Sequence, residues 1–521
     1  MTGSTSKKTR LRWWCLVVSS TAVIITGLQN TITNVALPSL QQLFQASATL
    51  TQWFVNSYIL TFASLLLLMG FVGDKYGRKS TMNVGLLVFM LGSIGAALAD
   101  TSSQFLLTQV VMGAGAAALV PQTLSILVDT FPARERALAI AIWTGVAGLG
   151  SGLGPLIGGF LLQRFPVSSV FTVNIPLVLF SLALGHFVVF ESKDQRAPKL
   201  DLLGTVYSAI AIITITFAFI AAPGFGWLSL PVIAAFAAGV FSLTAFIRHE
   251  DRLEDPLLDL GYFRDSRFTN GVVGISAVFF ALMGMMFLAT QFLQTVREWS
   301  ALKAGLLMLP MAVLLAVGSV LSKKLVDKLG NTAVIVLGLV WTGIGMTLIH
   351  FWSLDTAVAF ITLSLAFFGL GVGLTMGPST NEIMAPIPAH KAGQGSSINT
   401  LARQVSGAIG IAILGSVLNS RYVSNLEAVT AYLPPAVTES FTVDKSEAAR
   451  SSVASAFDIA RALLDRSEEL AGMLLKSVTA QSFTLAMGSA MIIGAVLCLV
   501  AAVVVLLVRR RSTAAQAAPE V

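Results

Sequence analysis

Charge is what this sequence has least of. Asp, Glu, Lys and Arg make up 11% of its 521 residues, about half the share of an ordinary soluble domain. A soluble chain needs a charged coat over its core, and too few such residues are present to make one. With 55% hydrophobic residues and a mean hydropathy of +0.81, the chain excludes water as its main solvent and implies a bilayer. Cysteine is almost absent. Cys15 and Cys498 both sit in apolar runs, which excludes a disulfide framework and a cysteine-held metal. The four histidines, His186, His249, His350 and His390, lack ligand spacing, so neither metal nor cofactor is expected. No small-residue cleavage site follows the first apolar run, which reads as a retained span. Catalytic carboxylate pairs and His/Asp pairs near a membrane interface are also missing, so the chain is not expected to be an enzyme.

What the sequence does have is long apolar runs. A spanning helix needs about 20 mainly apolar residues. Fourteen runs qualify: 13–37, 50–72, 80–99, 104–128, 137–162, 169–190, 203–222, 228–248, 269–294, 303–322, 331–352, 356–384, 393–419 and 481–508. Lys and Arg gather at alternate connections. Lys7, Lys8, Arg10 and Arg12 precede the first run; Lys75, Arg78 and Lys79 follow the second; Arg134 and Arg136 follow the fourth; Lys193, Arg196 and Lys199 follow the sixth. The alternation continues to Arg509, Arg510 and Arg511 after the fourteenth, while the short connections opposite hold only Arg164, Arg297 and Lys303. By the positive-inside rule both termini are expected in the cytoplasm. The net charge of +7 follows from this topology, without a nucleic-acid partner. Residues 420–480 read as one long outer connection, with an amphipathic stretch near 446–476 (Phe457, Leu463, Leu464, Leu470, Leu474) expected as one or two surface helices.

A weak parallel repeat is legible. Gly73-Asp74-Lys75-Tyr76-Gly77 follows the second run and Val326-Asp327-Lys328-Leu329-Gly330 the tenth, an offset of 253 between the two Asp. Gly113, Gly115 and Pro121 of the fourth run match Gly371, Gly373 and Pro378 of the twelfth at offsets of 258, 258 and 257. Two six-helix halves are expected, with the seventh and eighth runs inserted between them.

The segment Gly70 to Lys79, with Gly73, Asp74, Gly77 and Arg78, resembles the signature loop of the major facilitator superfamily. Asp74 stands just before the third run, where a carboxylate suits a helix N-terminus. Arg78 is within reach of a neighbouring helix end, with Asp129 as a candidate partner. Together these five residues are expected to act as a conformational latch. The fifth run carries Gly145, Gly148, Gly150, Gly154, Pro155, Gly158 and Gly159 and is similar to the antiporter motif of exporters in that superfamily. Glycine at this density permits close helix approach, and Pro155 removes a backbone hydrogen bond. Leu28 to Pro38, Gln52-Trp53, Asn174-Ile175-Pro176, Gln291 to Gln294, Gly393-Gln394-Gly395 and Arg403-Gln404 extend the resemblance to the fourteen-spanner drug:proton antiporter family.

That resemblance implies an all-α integral membrane protein with the major facilitator fold. It implies a tail at 1–12, an N-terminal bundle at 13–190, two inserted helices at 203–248, a C-terminal bundle at 269–508 and a tail at 509–521. It implies a monomer in the bacterial plasma membrane that exports hydrophobic or amphiphilic small molecules against protons. A lipid exporter or an uncoupled facilitator are the alternatives on the same fold; a polytopic enzyme is remote. Two positions depart from the family pattern. Gln29 stands where the family has an Asp, and Gln109 where it has an Arg. Paired loss of two charges is what a contacting pair would show, so Gln29 and Gln109 are expected to face each other. The expected substrate cavity comprises Gln29, Asn30, Asn34, Gln109, Gln291, Gln294 and Arg403. It is amide-rich with one cation. No Asp or Glu falls in the middle third of a run, which leaves Glu382 and His186 as proton-carrier candidates.

Overall fold

A computed structural model describes residues 2–517 apart from 47, 194–200, 254, 255, 257, 431–452 and 466–468. Arg196, Lys199 and the stretches 431–452 and 466–468 of the expected outer connection lie outside the described residues. Every one of the fourteen runs forms a helix long and apolar enough to cross a membrane. The helices of the first half are α1 (Thr2–Phe44), α2 (Ala48–Tyr76), α3 (Arg78–Ala97), α4 (Ser102–Thr130), α5 (Ala133–Arg164), the single turn α6 (Ser169–Thr172) and α7 (Asn174–Val188). Then come α8 (Leu202–Phe225) and α9 (Leu230–Glu250). The second half holds α10 (Ser266–Gln291), α11 (Ala301–Leu329), α12 (Asn331–His350), α13 (Val358–Met384), α14 (Ala392–Thr430), α15 (Val453–Asp465) and α16 (Glu469–Ala517).

Local chemistry sets the ends. Thr101 and Gln104 form a capping box at the start of α4, and Asp265 caps α10 by accepting from Arg267 N at 2.8 Å. Gly77 (φ 126°) and Gly330 (φ 82°) turn the chain between α2 and α3 and between α11 and α12, in a backbone region that side chains disfavour. Large apolar side chains such as Phe241, Leu497 and Val503 remain exposed, as lipid-facing surface requires.

The repeat is real, but its register differs from the sequence match. A Cβ on Gly85 would lie 2.9 Å from Gly115 O and 2.8 Å from Leu119 N; a Cβ on Gly338 would lie 2.9 Å from Gly371 O and 2.8 Å from Thr375 N. A Cβ on Gly113 would meet Tyr58 O at 2.7 Å, and the carbonyl of Met311 is the corresponding neighbour of Gly369. Thus α2 and α3 map to α11 and α12 with an offset of 253, whereas α4 maps to α13 with 256. Gly115 corresponds to Gly371, not Gly113. The glycine ladder repeats every two residues, so matching glycine to glycine alone slips by one rung.

The first half packs around Ile25, Phe54, Phe89, Phe105 and Phe171, and the second around Phe268, Phe292, Phe368 and Phe483, all fully buried. The halves meet along two edges. At one, α5 lies against α11 and α13. At the other, α14 lies against α2 and α4, and the inserted α8 contacts both α2 and α14. Phe217 of α8 stacks on Trp53 at 5.9 Å, and Trp227 beyond its end donates to Ser416 of α14 at 2.9 Å.

The outer connection is shorter than expected. Helix α14 continues to Thr430 and α16 begins at Glu469, so Leu470 and Leu474 belong to a spanning helix, not a surface one. Both helices carry their apolar stripes beyond the span: Tyr422, Leu426, Ala471 and Leu475 are buried, and α15 packs on them through Phe457, Ala460 and Leu463. That contact lets helix persist where lipid no longer requires it.

Candidate functional site

Inside the first half, three helices bring amides together. Gln29 on α1 donates to Thr33 Oγ1 at 2.9 Å and to Gln109 Oε1 on α4 at 3.4 Å. Asn174 at the start of α7 donates to Gln29 Oε1 at 3.3 Å. All three amides are 1% exposed or less. This is a closed interhelical cluster, so Gln29 and Gln109 do meet, but they do so within one bundle. Asn174 was not among the expected cavity residues. Its signal was an amide directly before Ile175-Pro176 in an otherwise apolar run. Asn30, Gln291 and Gln294 are half-buried and Asn34 is exposed, with its amide donating to Asn30 O at 2.9 Å. They are set apart from the amide cluster by their exposure.

Arg403 lies on α14 where the two halves meet, and it is 7% exposed. Its Nη2 donates to Thr380 Oγ1 on α13 at 2.9 Å, and Thr380 donates in turn to Asn399 Oδ1 at 3.3 Å. The guanidinium carbon stands 5.3 Å from the ring centre of Trp143 on α5 and 5.2 Å from that of Phe279 on α10. Trp143 is held by its own donation to Thr123 Oγ1 on α4 at 3.2 Å. Among the described residues no carboxylate pairs with Arg403, and its Nε has no acceptor. Aromatic faces attract a guanidinium but carry no net charge. Trp143, Phe279 and Thr380 were not legible as site residues: each is an unremarkable residue of an apolar helix until the fold sets it beside the cation.

The signature loop ties the two halves together at the start of α14. Arg78 Nε and Nη2 donate to Asp74 Oδ1 at 2.9 and 2.7 Å, and Nη2 also reaches His390 O at 3.0 Å. Asp74 does not cap α3. Its Oδ1 accepts from Gly393 N at 3.1 Å and its Oδ2 from Gln394 N at 3.2 Å, at the N-terminus of α14. A carboxylate is favoured there by unpaired N–H groups and the helix dipole. The cap of α3 is Glu191, which accepts from Lys79 N at 3.0 Å and Ser80 N at 3.1 Å. Beside the latch, Ser397 of α14 donates to Leu66 O of α2 at 2.7 Å, and a Cβ on Gly70 would lie 2.6 Å from Gly393 O. Gly73 leaves room for Gln122, which donates to Met69 O at 2.8 Å. Asp129 is exposed near the end of α4 at the same face.

The fifth-run glycines divide between two neighbours. A Cβ on Gly145 would lie 3.2 Å from Ala316 Cα of α11, and Gly148 faces Leu315. Gly150, Gly154 and Gly158 instead pack on α1, with Ile24, Thr31 and Ile32 as neighbours, and Gly159 is buried. Opposite Pro155, a Cβ on Gly305 of α11 would lie 2.9 Å from Leu156 N. So α5 presents one set of glycines to α11 and another to α1.

Glu382 on α13 is 5% exposed and accepts from Asn331 Nδ2; its Oε2 has no partner. It borders a cleft of about 240 Å³ with Arg267, Asn270 and Arg509. His186 is exposed at the end of α7, where its carbonyl accepts from Lys79 Nζ at 2.9 Å. Among the described residues no cluster of His, Cys, Asp and Glu could hold a metal.

Comparison with known proteins gives a consistent outcome. Residues 20–411 match the profile of the Major Facilitator Superfamily. The chain is 33% identical to the multidrug efflux pump LfrA of Mycolicibacterium smegmatis, over 96% of this chain and 97% of the other. It is 34% identical to the multidrug resistance protein Stp of Mycobacterium tuberculosis, over 79% of this chain and 77% of the other. In fold it is similar to the crystal structure of the human organic anion transporter MFSD10, with a TM-score of 0.55 and 13% identity over 79% of this chain and 93% of that one.

Proposed function

The chain belongs to the major facilitator superfamily, and from that premise we propose that it is a multi-pass exporter of hydrophobic or amphiphilic drugs in a bacterial inner membrane. The observation that carries this reading is the 33% identity, over nearly the whole length of both chains, to a multidrug efflux pump. The geometry supports alternating access as the mechanism. The halves rock about a central site. The latch of Asp74, Arg78 and the α14 N-terminus stabilises the state closed at the basic face. The α5–α11 contact, where Gly145 and Gly305 let the two helices pack closely, permits the movement. Both termini sit on the basic face, which the positive-inside rule assigns to the cytoplasm. A monomer suffices, because both halves of the site come from one chain.

Proton coupling is part of the proposal, with Glu382 as carrier. Its buried carboxylate has one unsatisfied oxygen beside a cleft open at the basic face. His186, exposed, is the weaker candidate. One feature favours an uncoupled facilitator instead: Gln29 and Gln109 meet as neutral amides where the family resemblance implies a charged pair. A single experiment separates the two. A pump-deficient bacterium expressing the chain is loaded with a hydrophobic fluorescent compound, with and without a protonophore. Coupled export predicts low accumulation that the protonophore abolishes; accumulation equal to that of empty cells sinks the export reading for that compound class.

A further inference from the structure

We propose that Arg403 is the receptor for the negative group of the transported molecule, and that a preferred substrate is an organic acid with an aromatic or apolar body. The site is the one used by the export reading above, and the proposal rests on that reading only for the word transported.

The argument begins with charge. A guanidinium stays protonated inside a protein, so burial cannot relieve it by proton loss. Charges are buried when they are paired, and an ionisable group at membrane depth faces a partner or a cavity. Arg403 is 93% buried by its 7% exposure, yet its described partners are a hydroxyl and two aromatic rings. The nearest acid along α13, Glu382, is two residues past Thr380, about 200° around the helix, and engages Asn331 instead. Asp74 is occupied by Arg78 and α14. One positive charge is therefore left over, with Nε still unsatisfied.

Position supplies the second part. Trp143 belongs to the first half, while Phe279, Thr380 and Arg403 belong to the second. An anion bound to the guanidinium is thus touched by both halves, and its contacts change when they rock. A ligand shifts a two-state equilibrium only by such differential contact. A purely structural anion would sit within one bundle. The rings of Trp143 and Phe279 flank the guanidinium and make its surroundings aromatic, and Nε beside Nη2 offers a fork suited to a carboxylate or sulfonate.

The test uses the purified full chain in nanodiscs and two probes, dansyl-phenylalanine and its methyl ester, which differ in one negative charge. Binding is read by dansyl fluorescence in potassium gluconate and again in potassium chloride. The acid is expected to bind about tenfold tighter than the ester. Arg403→Gln is expected to remove that preference, and an unchanged thermal midpoint in the same nanodiscs reports that the variant is folded. Arg403→Lys keeps the charge without the fork and is expected to retain a reduced preference. Should Arg403→Gln fail to fold, the wild-type pair and Arg403→Lys decide the matter. Equal affinity for acid and ester in the wild type overturns the proposal, as does a preference that survives Arg403→Gln. Loss of the preference in chloride also overturns it, because the occupant would then be an inorganic ion. Absence of export with the acid preference intact would sink the export reading and leave the anion site standing.

Discussion

Gln29 on α1 donates to Gln109 on α4 at 3.4 Å in the interior of the first bundle. The pair joins two helices through neutral amides, at a depth where a lone charge costs about 2.5–3.5 kcal/mol.

Gln29→Asp or Gln109→Arg alone is expected to lower the thermal midpoint of the purified protein and its yield from membranes. The double variant is expected to recover most of both, because each new charge would then face its counterpart. Asn174 stays available to the carboxylate as a donor. A double variant less stable than both singles would sink the facing-pair account.

This contact was legible in the sequence because two departures from one pattern occurred together. The fold was legible for a similar reason: fourteen apolar runs and alternating Lys and Arg constrain each other. The partner of Asp74 was not legible. A helix N-terminus 319 residues further along the chain completes it, and local reasoning assigned the carboxylate to the adjacent α3 instead. Glu191, just past the end of the neighbouring α7, takes that place. Arg403 stood out as a charge at mid-depth, but the rings around it come from α5 and α10, and nothing in those helices marks Trp143 or Phe279.

Asp74→Asn is expected to loosen the closed latch. It removes the charge that strengthens four hydrogen bonds, and such bonds are worth about 1.5–3 kcal/mol each at most. The check is maleimide labelling of Ser397→Cys, with Cys15 and Cys498 replaced by Ser. Labelling from the basic face should be about tenfold faster with Asp74→Asn, corresponding to about 1.4 kcal/mol of population shift. Equal rates would mean that the latch does not govern that opening.

Two glycine substitutions should differ sharply. In Gly393→Ala the new Cβ meets Gly70 O at 2.5 Å and Asp74 Oδ2 at 2.6 Å, both in fixed positions. Transport by this variant should fall about tenfold or more, in line with the cost of overpacking. In Gly145→Ala the nearest atom, Ala316 Cα, is at 3.2 Å, which a small shift accommodates. That variant should keep most of its transport rate. The reverse order would show that the α5–α11 contact is the tighter constraint.

The outer helix α15 should respond to acid. Glu298, with φ +50° just past the π-helical turn that follows α10, accepts from Lys476 on α16 and from Arg461 on α15 at 2.9 Å. Hydrogen bonds first from Lys476 and then from Arg461 hold its carboxyl below the usual value of 4.5. A depressed folded value means that the clasp is fully present above about pH 4.5 and is lost as pH falls through the folded value. Amide exchange in Val453–Asp465 should therefore be pH-insensitive, after correction for intrinsic rates, above that point. It should rise below it to the level of Glu298→Gln. Protection that survives acid in the wild type would remove Glu298 from the account.

The two edges of the seam are not alike. At one, α8 bridges α2 and α14 through Phe217 on Trp53, with Trp227 reaching Ser416, and α9 backs it. At the other, α5 meets α11, and neither inserted helix stands beside it among the described residues. The protein thus has a shuttered flank and an unshuttered one, an asymmetry set by where two extra helices stand in a duplicated chain.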